Sequence, residues 1–166
     1  MQLPEIDALI LEMARQIKPH LTAESALVGI HTGGAWVAEK LSELFDVPLP
    51  FGTLDISFYR DDFSRIGLHP QVKPSHIPFE VEDRHIILVD DVLNTGRTIR
   101  AAMNELFDYG RPASIRLAVL VDRGGRELPI EAQIVGAHLK LAAAQNIQLN
   151  RGESGRLSLS LHEKTA

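Results

Sequence analysis

The stretch "IILVDDVLNTGRT", residues 86–98, decides the fold. Four apolar residues, Ile86 to Val89, run into two adjacent aspartates, Asp90 and Asp91. A loop of Asn94, Thr95, Gly96, Arg97 and Thr98 follows. A continuous apolar run is what a strand needs when its sheet is covered on both faces. The next residues, "GRTIRAAMNELFDYG", have helical apolar spacing and stop at Gly110. Where a strand passes through a tight loop into a helix, the first backbone N–H groups lack intrahelical partners and point at whatever lies before the helix. Gly96 lets the backbone approach a ligand, and the Thr95 and Thr98 hydroxyls add donors, so this is a cradle for a phosphate. Asp90 and Asp91 have the opposite chemistry, since ionised carboxylates only accept hydrogen bonds. They suit sugar hydroxyls beside the phosphate, or a hydrated magnesium ion. One ligand type satisfies both halves, a phosphoribosyl diphosphate. The plainer alternative is a structural strand–turn–helix whose aspartates merely cap.

Outward from this stretch, strands and helices alternate. Ile6, Leu9, Ile10, Met13 and Ile17 recur at helical spacing, which predicts a helix over 5–18 that ends at Pro19. "ALVGI" (26–30) predicts a buried strand followed by the tight loop "HTGG", and 35–45 predicts a helix. A strand is expected from Phe51 to Tyr59. Residues 61–84 carry Gly67 and three prolines with little periodicity, and so long a connection is usually a functional lid or disordered. "HIILVD" (85–90) and "SIRLAVLVD" (114–122) predict further strands, "QIVGAHL" a short apolar run, and the alternating Leu157, Leu159 and Leu161 a half-buried edge strand. The expectation is an α/β fold with a mostly parallel central sheet flanked by helices. Ligands of such sheets bind beyond the carboxyl ends of the strands. Four loops, "HTGG", "DISFYRDD", "DDVLNTGRT" and "DRGGRELP", converge on that rim.

The chain has 166 residues, which predicts a single domain spanning 1–166. Hydrophobic residues make up 45% and charged residues 23%, an ordinary globular balance. The absence of cysteine excludes disulfides, thiolate zinc sites and a thiol nucleophile, and fits a cytoplasmic location. The N-terminus has acids where a signal peptide needs basic residues. No segment has the roughly 20 unbroken apolar residues of a membrane helix, so no membrane partner is expected. A net charge of -5 repels nucleic acid overall, though a local basic face could still bind it.

Residues 86–98 resemble the thirteen-residue phosphoribosyl-diphosphate motif of type I phosphoribosyltransferases: apolar residues, two acids, a short loop, then Thr-Gly-x-Thr. Together with "LDISFYRDD" (54–62) and "GRPASIRLAVLVDRGGRELPI" (110–130), they resemble the PyrR family of pyrimidine-operon attenuation proteins that are also uracil phosphoribosyltransferases. The similarity covers most of 26–136. It implies the type I phosphoribosyltransferase fold, with a flexible loop at about 61–78 and a small hood from about 123–166 plus the N-terminal segment. The implied reaction takes uracil and phosphoribosyl diphosphate to UMP and diphosphate, with Mg2+ as cofactor. UMP or UTP are possible effectors, pyr mRNA is a possible partner, and a homodimer or higher homo-oligomer is expected. Two alternatives stand beside it: a uridine-nucleotide-sensing RNA attenuator with little catalysis, and a transferase for hypoxanthine or xanthine.

Under this resemblance Asp90 and Asp91 hold the ribose hydroxyls and touch the metal only through substrate or water. Val92, Leu93, Asn94, Thr95, Gly96, Arg97 and Thr98 supply the 5′-phosphate loop. Thr32, Gly33 and Gly34 line the diphosphate side. Arg60, whose planar fork can grip two phosphate oxygens, is the expected diphosphate ligand; alternatively it is a surface residue paired with Asp61 or Asp62. Arg65 and Lys73 could bring charge to the site from the lid or simply be solvated. Val121, Asp122 and Arg123 are expected near the base. Two departures from the family pattern stand out. Gly33 occupies a position where the family carries Arg, which leaves the diphosphate to the backbone N–H groups of Thr32, Gly33 and Gly34; His31 could substitute in part, though a lone His beside a strand is more often structural. Gly125, Glu131 and Ala137 stand where the family's RNA face has His, Arg and Lys, and "EIDALILEMARQIK" is acidic. These changes predict weakened RNA binding.

Overall fold

Every residue of Ser25–Ile30 is buried, and a strand without a polar face can lie only inside a covered sheet. The structure, a computed structural model, describes residues 1–56 and 75–164. In it this strand, β1, sits between β2 (Phe51–Leu54) and β3 (His85–Leu93), followed laterally by β4 (Ser114–Asp122) and β5 (Ile134–His138). The order is β2-β1-β3-β4-β5, and every neighbouring pair is parallel. The direction of winding reverses between β1 and β3. Such a switch point opens a crevice outside the carboxyl ends of those two strands. A separate antiparallel hairpin joins β6 (Gln145–Arg151) to β7 (Leu157–Glu163).

Alternating side chains of β3 fill two cores. Ile87 and Val89 pack with α1 (Ile6–Ile17) and α2 (Gly33–Ser42), where Met13, Ile17, Val37 and Leu41 are fully buried. Ile86 and Leu88 pack on the opposite face with Ile99, Ala102 and Leu106 of α3 (Arg97–Tyr109). Fully burying an aliphatic side chain stabilises by about 1.5–3 kcal/mol, so both layers hold β3 firmly in register. The site loops therefore hang from a rigid strand.

The boundaries differ from expectation in informative ways. β3 continues through the aspartates to Leu93, because Val92 and Leu93 find ladder partners in Val121 and Asp122. Helix α2 begins at Gly33, inside the expected loop. β2 ends at Leu54, with Asp55 and Ile56 described but outside the strand, and residues 57–59 of the expected strand lie outside the described residues. Of the hood expected over 123–166 plus the N-terminus, β5 instead extends the main sheet and α1 covers its face. The strand at 157–163 pairs with β6, an element the sequence reading lacked.

Candidate functional site

Two helix N-termini flank the switch-point crevice. At the end of β1, the His31 N–H donates to the Leu54 carbonyl (2.8 Å), tying the first loop to the tip of β2. The His31–Thr32 peptide is cis. Thr32 is the N-cap of α2, and Gly33 and Gly34 form its first turn, so their amides have no acceptor within the helix. Gly34 lies against β3: a Cβ there would stand 2.5 Å from the Val89 carbonyl oxygen and 2.9 Å from Asp90 Cα. Only glycine allows this approach, and it brings the first loop directly onto the aspartate pair.

Asp90 is buried, and its Oδ1 accepts the Asp91 N–H (2.8 Å); Asp91 Oδ1 accepts the Val92 N–H (2.8 Å). The Asp91 carboxylate leans on the first loop, where a Cβ on Gly33 would stand 2.1 Å from Asp91 Oδ2. Beyond β3, Gly96 caps α3 with φ +95°, in the left-handed region that favours glycine. Thr95 Oγ1 accepts the Arg97 N–H (3.2 Å). Asn94, Thr95 and Thr98 are partly exposed, as a ligand cradle needs.

The segment after β4 closes over this loop. The Thr95 carbonyl accepts N–H bonds from Glu127 (2.9 Å) and Leu128 (3.1 Å), and the Leu93 carbonyl accepts that of Arg123 (3.0 Å). Arg97 pairs with Glu127 at 2.9 Å. Asp122, at the end of β4, accepts the Gly124 N–H (2.9 Å) and Arg126 Nη2 (2.6 Å). Burial raises its carboxyl, but the hydrogen bonds from Arg126 and Gly124, with the charges of Arg126 and His138, outweigh burial and hold it below the ordinary range. An open pocket of about 430 Å³ lies here, lined by Asp122, Arg123, Arg126, His138, Leu139 and Lys140 among others.

The structure thus brings together Thr32, Gly33, Gly34, Asp90, Asp91 and residues 94–98, with Asp122 and Arg123 one strand away. Two expectations need correction. Val121 is fully buried and packs in the core on the α1 side, so its side chain is not offered to a base. Leu93 is likewise a core side chain, and only its backbone reaches the loop. Arg60, Arg65, Lys73 and most of the expected lid lie outside the described residues. Arg126 was missed as a site residue; the only sequence signal was its place four residues after Asp122. Among the described residues no group of three or more His, Cys, Asp or Glu side chains could hold a metal ion, and no helix is long and apolar enough to cross a membrane.

A five-stranded parallel sheet with two helix N-termini at its switch point suits a nucleotide-type ligand, and the match of residues 2–145 to the phosphoribosyl transferase domain family makes the chain a phosphoribosyltransferase. Among solved structures, a hypoxanthine-guanine phosphoribosyltransferase from Bacillus anthracis superposes with a TM-score of 0.67 at 19% identity, covering 84% of this chain and 83% of that one. A hypoxanthine phosphoribosyltransferase from Staphylococcus aureus gives 0.62 at 22% identity, covering 81% and 73%. At such identities the likeness is one of fold. Far closer are the protein named bifunctional protein PyrR of Nitrosococcus oceani, 54% identical over 96% of this chain and 94% of that protein, and its namesake in Pseudomonas fluorescens, 55% identical over 90% and 92%. The chain belongs to the PyrR family.

Proposed function

We propose that this chain is a cytoplasmic uracil phosphoribosyltransferase, forming UMP and diphosphate from uracil and phosphoribosyl diphosphate. The supporting observation is the meeting of two helix N-termini with the Asp90–Asp91 pair at one switch point. The α3 amides and the Thr95 and Thr98 hydroxyls hold the 5′-phosphate. Asp90 and Asp91 accept the ribose hydroxyls through their carboxylates. The α2 amides of Gly33 and Gly34 face the diphosphate. Uracil lies toward the pocket beside Asp122 and Arg123.

In the reaction the C1′–oxygen bond to diphosphate breaks, a C1′–N1 bond to uracil forms, and N1 loses its proton. Charge develops on the ribose ring and on the leaving oxygens, so fixed amide dipoles aimed at the diphosphate favour the transition state. The hard carboxylate oxygens of Asp90 and Asp91 fit Mg2+, but two carboxylates do not make a cage, so these residues would help hold the ion through substrate or water. When bound, magnesium supplies positive charge to the leaving group.

Initial rates with uracil, hypoxanthine and xanthine, each with phosphoribosyl diphosphate and Mg2+, test the assignment. Uracil is expected to have by far the highest kcat/KM, and a preference for either purine overturns the reading. The regulatory half of the family's role rests on pyr mRNA, with UMP or UTP as effectors, and the chain acts as a homodimer or larger homo-oligomer. On the RNA side, Arg126 and Arg15 are each engaged by carboxylates of this same chain, which favours catalysis over attenuation as the retained activity.

A further inference from the structure

Arg126 makes three hydrogen bonds to three separate segments. Nη2 donates to Asp122 Oδ2 at the end of β4 (2.6 Å), Nη1 to the Asn94 carbonyl at the start of the phosphate loop (3.0 Å), and Nε to the Ile130 carbonyl (2.7 Å). Its side chain is only 17% exposed. Glu131 Oε1 lies farther off, at 3.6 Å, on a side chain 76% exposed. The carbonyl of Asn94 is 32 residues away in sequence, so nothing but the fold makes this contact. Around it, Ile130 and Leu128 pack over Gly96, the cap of α3.

A guanidinium is a rigid planar fork with five N–H donors, and three of its directions are taken here, by the end of β4, by its own loop at Ile130 and by the distant carbonyl of Asn94. A cation meant for a phosphate would keep that fork turned outward. We propose that Arg126 is a positioning residue: it fixes the 5′-phosphate loop 94–98 to Asp122 on the base side, so that a disturbance at Asp122 is felt in phosphate binding. The inference rests on the phosphate-loop assignment above. It assigns Arg126 to the enzyme's internal frame, not to ligand or RNA contact. Lysine cannot replace it, because a single ammonium on a flexible stem cannot span three acceptors in these directions.

The test uses ribose 5-phosphate, which occupies the phosphate and sugar positions without a base, titrated calorimetrically into the full chain. Arg126→Gln and Arg126→Lys are each expected to weaken binding about 10- to 100-fold, the range a misplaced positioning group produces. Asp122→Asn, which does not face the phosphate, is expected to weaken it several-fold. The double variant D122N/R126Q should bind no worse than R126Q alone, because both changes undo one link. Glu131→Gln serves as control and stays within about twofold of the unmodified chain. Near-normal binding by R126K would mean that charge alone suffices and would overturn the proposal, as would additive losses in the double variant. Should R126Q fail to fold, R126K and D122N still decide the matter. Failure of the chain to transfer uracil, with these binding results intact, would reject the substrate assignment and leave the role of Arg126 standing.

Discussion

Replacing Gly33 by alanine puts a methyl group where the Asp91 carboxylate now lies. The new Cβ would stand 2.1 Å from Asp91 Oδ2, 2.7 Å from Cγ and 3.1 Å from Cβ, so the carboxylate must move by roughly 1 Å or more to reach ordinary contact. That motion rotates Oδ1 away from the Val92 N–H it now accepts at 2.8 Å, and turns the carboxylate from the ribose position. A hydrogen bond to a charged group is worth about 1.5–3 kcal/mol, which corresponds to roughly a 10- to 150-fold loss in kcat/KM for phosphoribosyl diphosphate. The fold should be unaffected, because the atoms in the way belong to a side chain that can swing, and Gly33 opens a helix where alanine is at home. Gly34→Ala is the contrast. Its Cβ meets backbone at 2.5 and 2.9 Å, so α2 must lift off β3; overpacking of this kind costs about 1–3 kcal/mol, or about 2–12 °C of Tm in a chain this size. Initial rates against phosphoribosyl diphosphate at saturating uracil, with thermal melts followed by circular dichroism, separate the two. On the same argument Gly33→Arg loses activity instead of regaining a missing cation. Wild-type kcat/KM in Gly33→Ala at unchanged Tm would refute the reasoning, and so would a further loss when Gly33→Ala is added to Asp91→Ala.

Asp90→Asn and Asp91→Asn should each lower kcat/KM for phosphoribosyl diphosphate by at least about tenfold while melting like the unmodified chain, since an amide replaces only part of the acceptor set; normal turnover in both would reject the site. Glu105 on α3 is held by Ser75 Oγ at 2.5 Å and has its second oxygen buried without a partner; burial raises its carboxyl above 4.5, opposed by the Ser75 hydrogen bond and reinforced by the charges of Asp55 and Asp108. The folded chain therefore holds this proton more tightly than the unfolded one, and wild-type stability falls as pH rises from about 4.5 through the raised value. Glu105→Gln should gain on the unmodified chain across that window and keep the gain at pH 7, as melts from pH 4 to 8 will show; an advantage that is flat with pH would exclude this origin. A pyr leader hairpin should bind weakly and with a shallow salt dependence, because Gly125, Glu131 and Ala137 replace family contacts and Arg15 and Arg126 are paired internally; nanomolar binding with a steep slope would restore the attenuator reading.

The strand–loop–helix of 86–98 was legible because three independent signals coincide there: an apolar run, paired acids, and small residues at a helix start. Its far boundary was not. An aspartate pair ordinarily ends a strand, and only the neighbouring β4, with Val121 and Asp122 in register, carries β3 on to Leu93. β6 escaped notice because "QNIQLNR" shows only two apolar residues, Ile147 and Leu149, and its pairing partner is needed to make the alternation meaningful. The missing cation at Gly33 could be read from the chain; that the vacated space holds the Asp91 carboxylate could not. Arg126 stood out by no motif, since its bond to the Asn94 carbonyl, 32 residues away, is made only by the fold.

These positions share one physical consequence. On the described part of the rim, the charges nearest the proposed ligand position are the carboxylates of Asp90 and Asp91, while Arg126 and Arg97 pair with Asp122 and Glu127 of their own chain. On this described part of the rim, the proposed attraction for a polyanionic ligand comes from the amide ends of α2 and α3, whose dipoles act over the first turn and are worth most where solvent is excluded. Amide cradles do not titrate and do not swing. They select a phosphate by position more than by charge, and a site built on them depends on its frame being held still. On that proposal, the contacts that matter among the described residues are the glycines pressed against the strand and the bonds of Arg126 that hold the loop in place: where amides do the binding, a displaced loop loses what a mobile lysine could recover by reaching.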